Sequence, residues 1–285
     1  GHLQEAWREN RGSRDFGSDR SRRGRFSGLV SPAMSDSNDA IAILGGTGDQ
    51  GLGLALRFCQ SGREVIIGSR KAERAVEAAE NVRSQVPGAK VEGVGNDEAT
   101  AAAEIVILSV PFEHTAGTVK AIKEFLREGQ IVVSMAVPLA TAIGDGPMRT
   151  VGVWQGSAAE MVQALVPKGV DVVSAFQNVS SHRLQHLGEP VECDVVVSGA
   201  KASRVKIMDL CPLVDGLRAL DGGPLPNARI VEDMTALIIG MNIRQRPLMA
   251  SVSDLRDCPN RELDSSPASS RRINTNLAPP NSFRR

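Results

Sequence analysis

The chain has no tyrosine, and only seven phenylalanines and two tryptophans among 285 residues. A surface that stacks the bases of a single strand needs such rings, so their scarcity argues against a nucleic-acid role. Cysteine is also sparse: Cys59, Cys193, Cys211 and Cys258 stand far apart, with neither C-x-x-C nor zinc-finger spacing. They read as reduced thiols of a cytoplasmic protein rather than disulfides or metal ligands. No apolar run approaches the roughly 18 residues of a membrane span. The longest, Ile131 to Ile143, is broken by Ser134, Pro138 and Thr141. Excess charge is lacking as well, since 33 Lys and Arg balance 33 Asp and Glu.

What is present is an ordinary globular composition, 41% hydrophobic and 23% charged, with enough length for one large domain or two small ones. The balanced charge is unevenly spread. Basic residues outnumber acidic ones 7 to 4 in residues 1–33 and again in 245–285, while residues 34–244 hold 19 against 25. Residues 1–33 are rich in Arg, Ser and Gly without apolar periodicity and read as a disordered tail. Met34 stands just before the first strand and is expected as the start of the folded chain. A transit peptide is the rival reading of the tail, and Glu5, Glu9, Asp15 and Asp19 count against it. Beyond Arg244 Pro, Ser, Arg and Asn dominate, and residues 245–285 read as a second, disordered or aberrant tail.

Between the tails the chain opens on Ala40-Ile-Ala-Ile-Leu44, a short buried strand, followed by Gly46-x-Gly48-x-x-Gly51 and an amphipathic helix carrying Leu52, Ala55, Leu56 and Phe58. Strand, glycine turn and helix in this order are the dinucleotide fingerprint. Gly46 is expected to permit the tight turn, Gly48 to let the backbone approach a pyrophosphate and Gly51 to let helix and strand pack closely. The segment Gly46, Thr47, Gly48, Asp49, Gln50 and Gly51 is thus the candidate phosphate cradle, its free N–H groups facing anionic charge.

The second strand, Arg63 to Arg70, ends in Gly68-Ser69-Arg70-Lys71, with Arg74 one helical turn on. A cofactor with a free ribose 2′-hydroxyl calls for Asp or Glu here, and none is present; Glu64 lies at the wrong end of the strand. Ser69, Arg70 and Arg74 suit a 2′-phosphate instead, which points to NADP. The bland alternative is a solvated helix start, disfavoured because cations at a helix N-terminus need an anion to offset them.

Further strands are expected at 89–94, at 104–111, at 130–134, at 169–175 and at 193–198, with helices at 71–86, 112–126, 157–165, 202–214 and 227–242. The run ending in Pro111 fits a central parallel strand buried on both faces. Val110-Pro111 and Ala136-Val137, at strand carboxyl ends, should line the cofactor cleft. Ser157 and Glu160 form a capping box. His182 and His186 have helical ligand spacing without a third ligand, and His114 either donates to the cofactor or caps its helix. Asp221-Gly-Gly reads as a turn rather than a metal loop.

Residues 34–244 resemble the F-420-dependent NADP oxidoreductase family. The resemblance is carried by Leu44-Gly-Gly-Thr-Gly48, Gly68-Ser-Arg70, Val110-Pro-Phe-Glu-His114, Ser157-Ala-Ala-Glu160 and, most specifically, Gly216-Leu-Arg-Ala-Leu-Asp-Gly-Gly-Pro-Leu-Pro-Asn-Ala-Arg229. It implies an α/β fold: a Rossmann-type doubly wound parallel sheet over 34–183 with a small C-terminal α/β domain over 184–244. It also implies hydride transfer between NADP(H) and the 8-hydroxy-5-deazaflavin coenzyme F-420 in the cleft between the two. Thr47, Ser69, Arg70 and Arg74 then fall at the NADP phosphate end, Val110, His114, Val137 and Val179 along the cofactor or nicotinamide pocket, and Arg229 and Thr235 near the deazaflavin.

Three positions depart from the family pattern. Gln177 stands where some members have His, Asp233 where a Ser is usual, and the glycine-rich closing strand is replaced by Gln245-Arg-Pro-Leu-Met. Hydride transfer between two rings needs positioning and exclusion of water, with no nucleophile and no metal. Another small NADPH-dependent reductase related to metalloreductases, or a non-catalytic NADPH sensor, are the alternatives. A homodimer is compatible with the sequence and not demanded by it.

Overall fold

A computed structural model describes residues 40–245. The two expected tails, Met34, Cys258 and the segment in the closing strand's place lie outside the described residues, apart from the backbone of Gln245. The strands are β1 (Ile41–Leu44), β2 (Val65–Ser69), β3 (Val91–Gly95), β4 (Ile105–Leu108), β5 (Ile131–Ser134), β6 (Asp171–Ser174), β7 (Cys193–Gly199) and β8 (Leu217–Gly223). Between them run α1 (Asp49–Gln60), α2 (Ala72–Gln85), α3 (Asn96–Ala102), α4 (Phe112–Ile122), α5 (Ala158–Leu165), α6 (Ser181–Gln185) and α7 (Lys201–Leu210), and α8 (Ala228–Gln245) closes the described chain.

All eight strands join one sheet in the order β3-β2-β1-β4-β5-β6-β7-β8. Every pairing is parallel except β6 with β7, so β7 and β8 run against the rest. The chain winds outward from β1 to β3, then returns to the other side of β1 for β4. Ligands of such sheets lie in the crevice at that switch, beyond the carboxyl ends of the strands.

The central strands are apolar throughout because both faces are covered. Ile41, Ile43, Ile67, Ile107 and Val133 point to one side, packing with Leu54 and Phe58 of α1 and Ala75, Ala79 and Val82 of α2. Ala42, Leu44, Val106, Leu108 and Val132 point to the other, against Ala99 of α3, Val119 and Ile122 of α4 and Val162 of α5. This alternation is the two-residue period of a strand.

Several elements differ from the sequence expectation. The apolar run 104–111 leaves the sheet after Leu108, and Ser109 N–H bonds back to Leu44 carbonyl at 2.8 Å. The helix expected over 202–214 stops at Leu210, where Cys211-Pro-Leu213 tightens into a 3₁₀ turn. Two elements had no apolar signal. The short α3 buries only Ala99 and Thr100, and β8 is an edge strand of mostly part-exposed residues held by its parallel pairing with β7. Residues 184–244 therefore include two strands that continue the main sheet.

Candidate active site

The glycine turn after β1 is built by contacts a side chain would destroy. Gly45 adopts φ +81°, and a Cβ there would stand 2.4 Å from Ser109 O. The left-handed corner thus belongs to Gly45, not to Gly46, whose expected role as the turn residue is corrected. Gly46 is instead pressed against Ile67, 2.9 Å from where its Cβ would be. A Cβ on Gly51 would meet Gly45 O at 2.7 Å and Gly46 Cα at 2.8 Å, the close strand–helix approach expected. Gly48 differs: its virtual Cβ meets only Gly45 O, at 3.4 Å, an ordinary contact. Protein packing does not require glycine at Gly48, whereas a bound pyrophosphate would.

No side chain caps the N-terminus of α1. Its first N–H groups have no intrahelical partner by geometry, and with the helix dipole they favour an anion in front of Gly48.

Two lobes of about 520 Å³ each open beside this turn and share Gly48 and Ser109-Val110-Pro111 as a common wall. The first lobe gathers Thr47, Ser69, Arg70, Lys71, Arg74, Asn96 and His114. Arg70, Lys71 and Arg74 are exposed, and among the described residues no ion-pair partner of these three is recorded. Ser69 Oγ accepts from Lys71 N–H at 3.2 Å, which leaves its own proton to donate. Asn96 Oδ1 is buried without a hydrogen-bond partner in a lobe otherwise supplied with donors. The His114 ring lines this lobe and does not cap α4.

The second lobe runs over Met135, Ala136, Val137 and Leu139 to Thr141, Gln177, Thr235 and Ile239, with Asp49, Gln50 and Glu113 at its rim. Its apolar wall of Met135, Ala136, Val137, Leu139 and Ile239 is interrupted by polar groups that can orient a small molecule. Gln177 is only 7% exposed; its amide nitrogen donates to Ser174 Oγ, and its Oε1 is buried without a partner. Thr235 Oγ1 donates to Val231 O at 2.9 Å and keeps acceptor capacity for a ligand.

Of the remaining sequence candidates, Gly46 and Gly51 lie beneath the turn. Val179 is buried, and its carbonyl accepts from Gln50 Nε2 at 3.1 Å. Arg229 is exposed on the first turn of α8 and lines neither lobe. The motif alone did not single out Lys71, Asn96, Ser109 or Thr141; Asn96 could have been suspected only from its place just beyond β3.

Other titratable groups lie apart from nucleophilic or metal chemistry. Burial pushes the Cys59 thiol up to about 11 and the Cys211 thiol up to about 12, so both stay protonated and inert at neutral pH. Among the described residues no three His, Cys, Asp or Glu side chains are grouped to hold a metal. The His182 and His186 rings lie 4.2 Å apart, and Asp221 accepts from Gly223 N–H and pairs with Arg204, but Asp221-Gly-Gly223 is the irregular end of β8 rather than the turn expected there. Ser157 caps α5 as expected, its Oγ accepting from Glu160 N–H at 3.0 Å, but the Glu160 carboxylate accepts from Ser157 Oγ at 2.9 Å rather than from the backbone N–H that would complete the box. A third cap was not foreseen. Glu232 of α8, 1% exposed, accepts from Ala158 N–H at 2.9 Å and Ala159 N–H at 3.2 Å, and burial raises its pKa to about 7.

Comparison with known proteins gives the chain's family. Residues 40–138 match the family model described as NADP oxidoreductase coenzyme F420-dependent. The F420-dependent NADP reductase of Methanocaldococcus jannaschii is 48% identical over 211 residues, covering 72% of this chain and 93% of the relative. That of Methanothermobacter thermautotrophicus is 42% identical, covering 74% and 93%. A crystal structure from Arthrobacter sp. FB24, provisionally described as an f420 dependent nadp-reductase, superposes with a TM-score of 0.61 at 25% identity, over 72% of this chain and 93% of that one. Identity at this level across nearly the whole length of those relatives leaves one assignment, and the chain belongs to the F420-dependent NADP reductase family.

Proposed function

We propose that the protein is an oxidoreductase that transfers hydride between NADP(H) and coenzyme F-420, with NADP spanning the first lobe and the deazaflavin entering the second. The observation that carries this reading is the shared wall. Gly48 and Ser109-Val110-Pro111 border both lobes, so two ligands seated on either side would meet there. When bound, NADP(H) supplies the hydride donor or acceptor at its nicotinamide ring. Ser69, Arg70 and Arg74 hold the 2′-phosphate, with Thr47 beside them, and the N–H groups of Gly48, Asp49, Gln50 and Gly51 hold the pyrophosphate. Val110 of the shared wall shapes the nicotinamide end, with Val137 facing it from the second lobe and Val179 buried behind both, and His114 donates along the cofactor. Thr235 meets the deazaflavin, and Arg229, on the rim of α8, pairs with anionic groups of that coenzyme outside the lobe.

The functional boundary lies near residue 183, with 34–183 binding NADP and 184–244 contributing α8 to the second coenzyme. The coenzymes are the partners, nucleic acid is not, and the compartment is the cytoplasm. No helix among the described residues is long and apolar enough to cross a membrane. Two copies associate through α8, where Ile230 and Leu237, two turns apart on one face, are each 57% exposed.

The test is to mix purified protein with NADP and reduced F-420 and follow the deazaflavin absorbance. Turnover supports the assignment; NADPH binding without turnover would leave a non-catalytic binder. Arg70→Glu should weaken NADP by about 10- to 100-fold and leave NAD nearly unaffected, the loss expected for a charge-assisted contact to phosphate. Equal losses for both nucleotides would overturn the phosphate assignment.

A further inference from the structure

On α1, Gln50 sits in the first turn, where its backbone belongs to the phosphate cradle. Its side chain points elsewhere. Nε2 donates to Phe176 O at 3.0 Å and to Val179 O at 3.1 Å, crossing 126 and 129 residues of sequence. Both amide protons are thereby committed to one short turn. Among the described residues Phe176 is the only non-glycine residue with positive φ, at +66°. A bulky side chain takes that conformation only when its surroundings hold it there, and such residues gather at functional sites. Its ring is fully buried edge-on to Phe58 of α1, with centroids 6.5 Å apart. The next residue is Gln177, which lines the second lobe and whose Oε1 is buried without a partner.

The rest of the α1 face continues the attachment. A Cβ on Gly53 would stand 2.6 Å from Leu184 Cβ, and Arg57, 2% exposed, donates to the carbonyls of Arg183, Leu184, His186 and Glu189. Gln185 Nε2 returns a bond to Asp49 O at 2.9 Å. Arg57 anchors the far end of the 176–189 segment, and Gln50 ties the end that reaches the cleft to α1, while Asn178 Nδ2 ties the same turn to β7 through Asp194 O at 2.8 Å.

From this geometry we infer that Gln50 is a positioning residue coupling the two coenzyme sites: it fixes the left-handed Phe176 turn and so holds Gln177 in the wall of the second lobe. The inference rests on the proposed assignment of the lobes. Because the phosphate cradle and the latch belong to the same helical turn, ordering of α1 by NADP also orders the wall against which the second coenzyme binds.

The experiment is Gln50→Leu, which keeps the bulk and removes both donors. The expected result is a KM for F-420 raised about 10-fold, with the NADPH dissociation constant changed less than 2-fold. Independently of turnover, hydrogen exchange by mass spectrometry should show residues 176–180 exchanging faster in the variant. NADPH should slow that exchange in wild-type protein and not in Gln50→Leu. If Gln50→Leu does not fold, Gln50→Met keeps an unbranched side chain of similar length without donors or charge, and the same split is expected. An unchanged KM for F-420 together with unchanged exchange at 176–180 overturns the latch. If wild-type protein binds NADPH but never oxidises or reduces F-420, the functional assignment fails, and the exchange measurement still decides the coupling.

Discussion

At the level of single residues, the glycines of the first turn separate packing from ligand binding. Gly51→Ala forces a Cβ to 2.7 Å from a backbone carbonyl and should lower stability by about 1–3 kcal/mol, read in a thermal melt. Gly48→Ala has room in the protein alone and should melt near wild type while binding NADP markedly more weakly, read by titration. Glu232 makes a further prediction. Its folded pKa of about 7 lies above the ordinary carboxylate value, so the native state keeps a proton that the unfolded chain has released. Stability should therefore fall as pH rises from about 4.5 to about 7 and level off above, by up to about 3 kcal/mol. Denaturant titrations should show this slope in wild type and lose it in Glu232→Gln.

These residues also mark how far the sequence could be read. The glycine spacing was legible because its geometry depends on near neighbours, and the proposal for the Ser69-Arg70 edge rests on the same local reading. The left-handed corner at Gly45 was not, since it follows from the approach of Ser109, and no spacing rule announces that Glu232 caps a helix 74 residues earlier.

Among the elements, α1 has two occupations, its N-terminus toward phosphate and its flank toward α6. Arg57→Ala would remove a donor from four carbonyls, of which Arg183 O and His186 O keep a backbone N–H, and should cost about 2–4 kcal/mol of stability, with a modest effect on NADP affinity. A chevron or melt beside a nucleotide titration would show whether the two losses separate. Strongly apolar strands such as β1, β4 and β5 were legible as runs buried on both faces. By contrast α3, an Ala- and Thr-rich piece of one or two turns, and β8, a part-exposed edge, owe their structure to the neighbours they pack or pair with, and local pattern cannot carry that information.

For the molecule as a whole, the parallel sheet and its ligand crevice followed from alternating strands and helices. The reversal between β6 and β7, which makes residues 193–223 part of the same sheet, did not, because strand direction leaves no trace in hydrophobic pattern. The exposed face of α8 belongs to this scale. Leu237→Glu should turn the proposed dimer into a monomer by light scattering while leaving NADPH binding intact; an unchanged mass would move the contact elsewhere.

The thin partition formed by Gly48 and Ser109-Val110-Pro111 constrains how such an enzyme can be re-engineered or can drift. A change in that partition is felt on both sides at once, so variants there should seldom improve one coenzyme without harming the other. The Ser69–Arg74 rim borders the first lobe alone. On the proposed assignment of the lobes, nucleotide preference can be retuned at that rim while the chemistry across the partition is left in place.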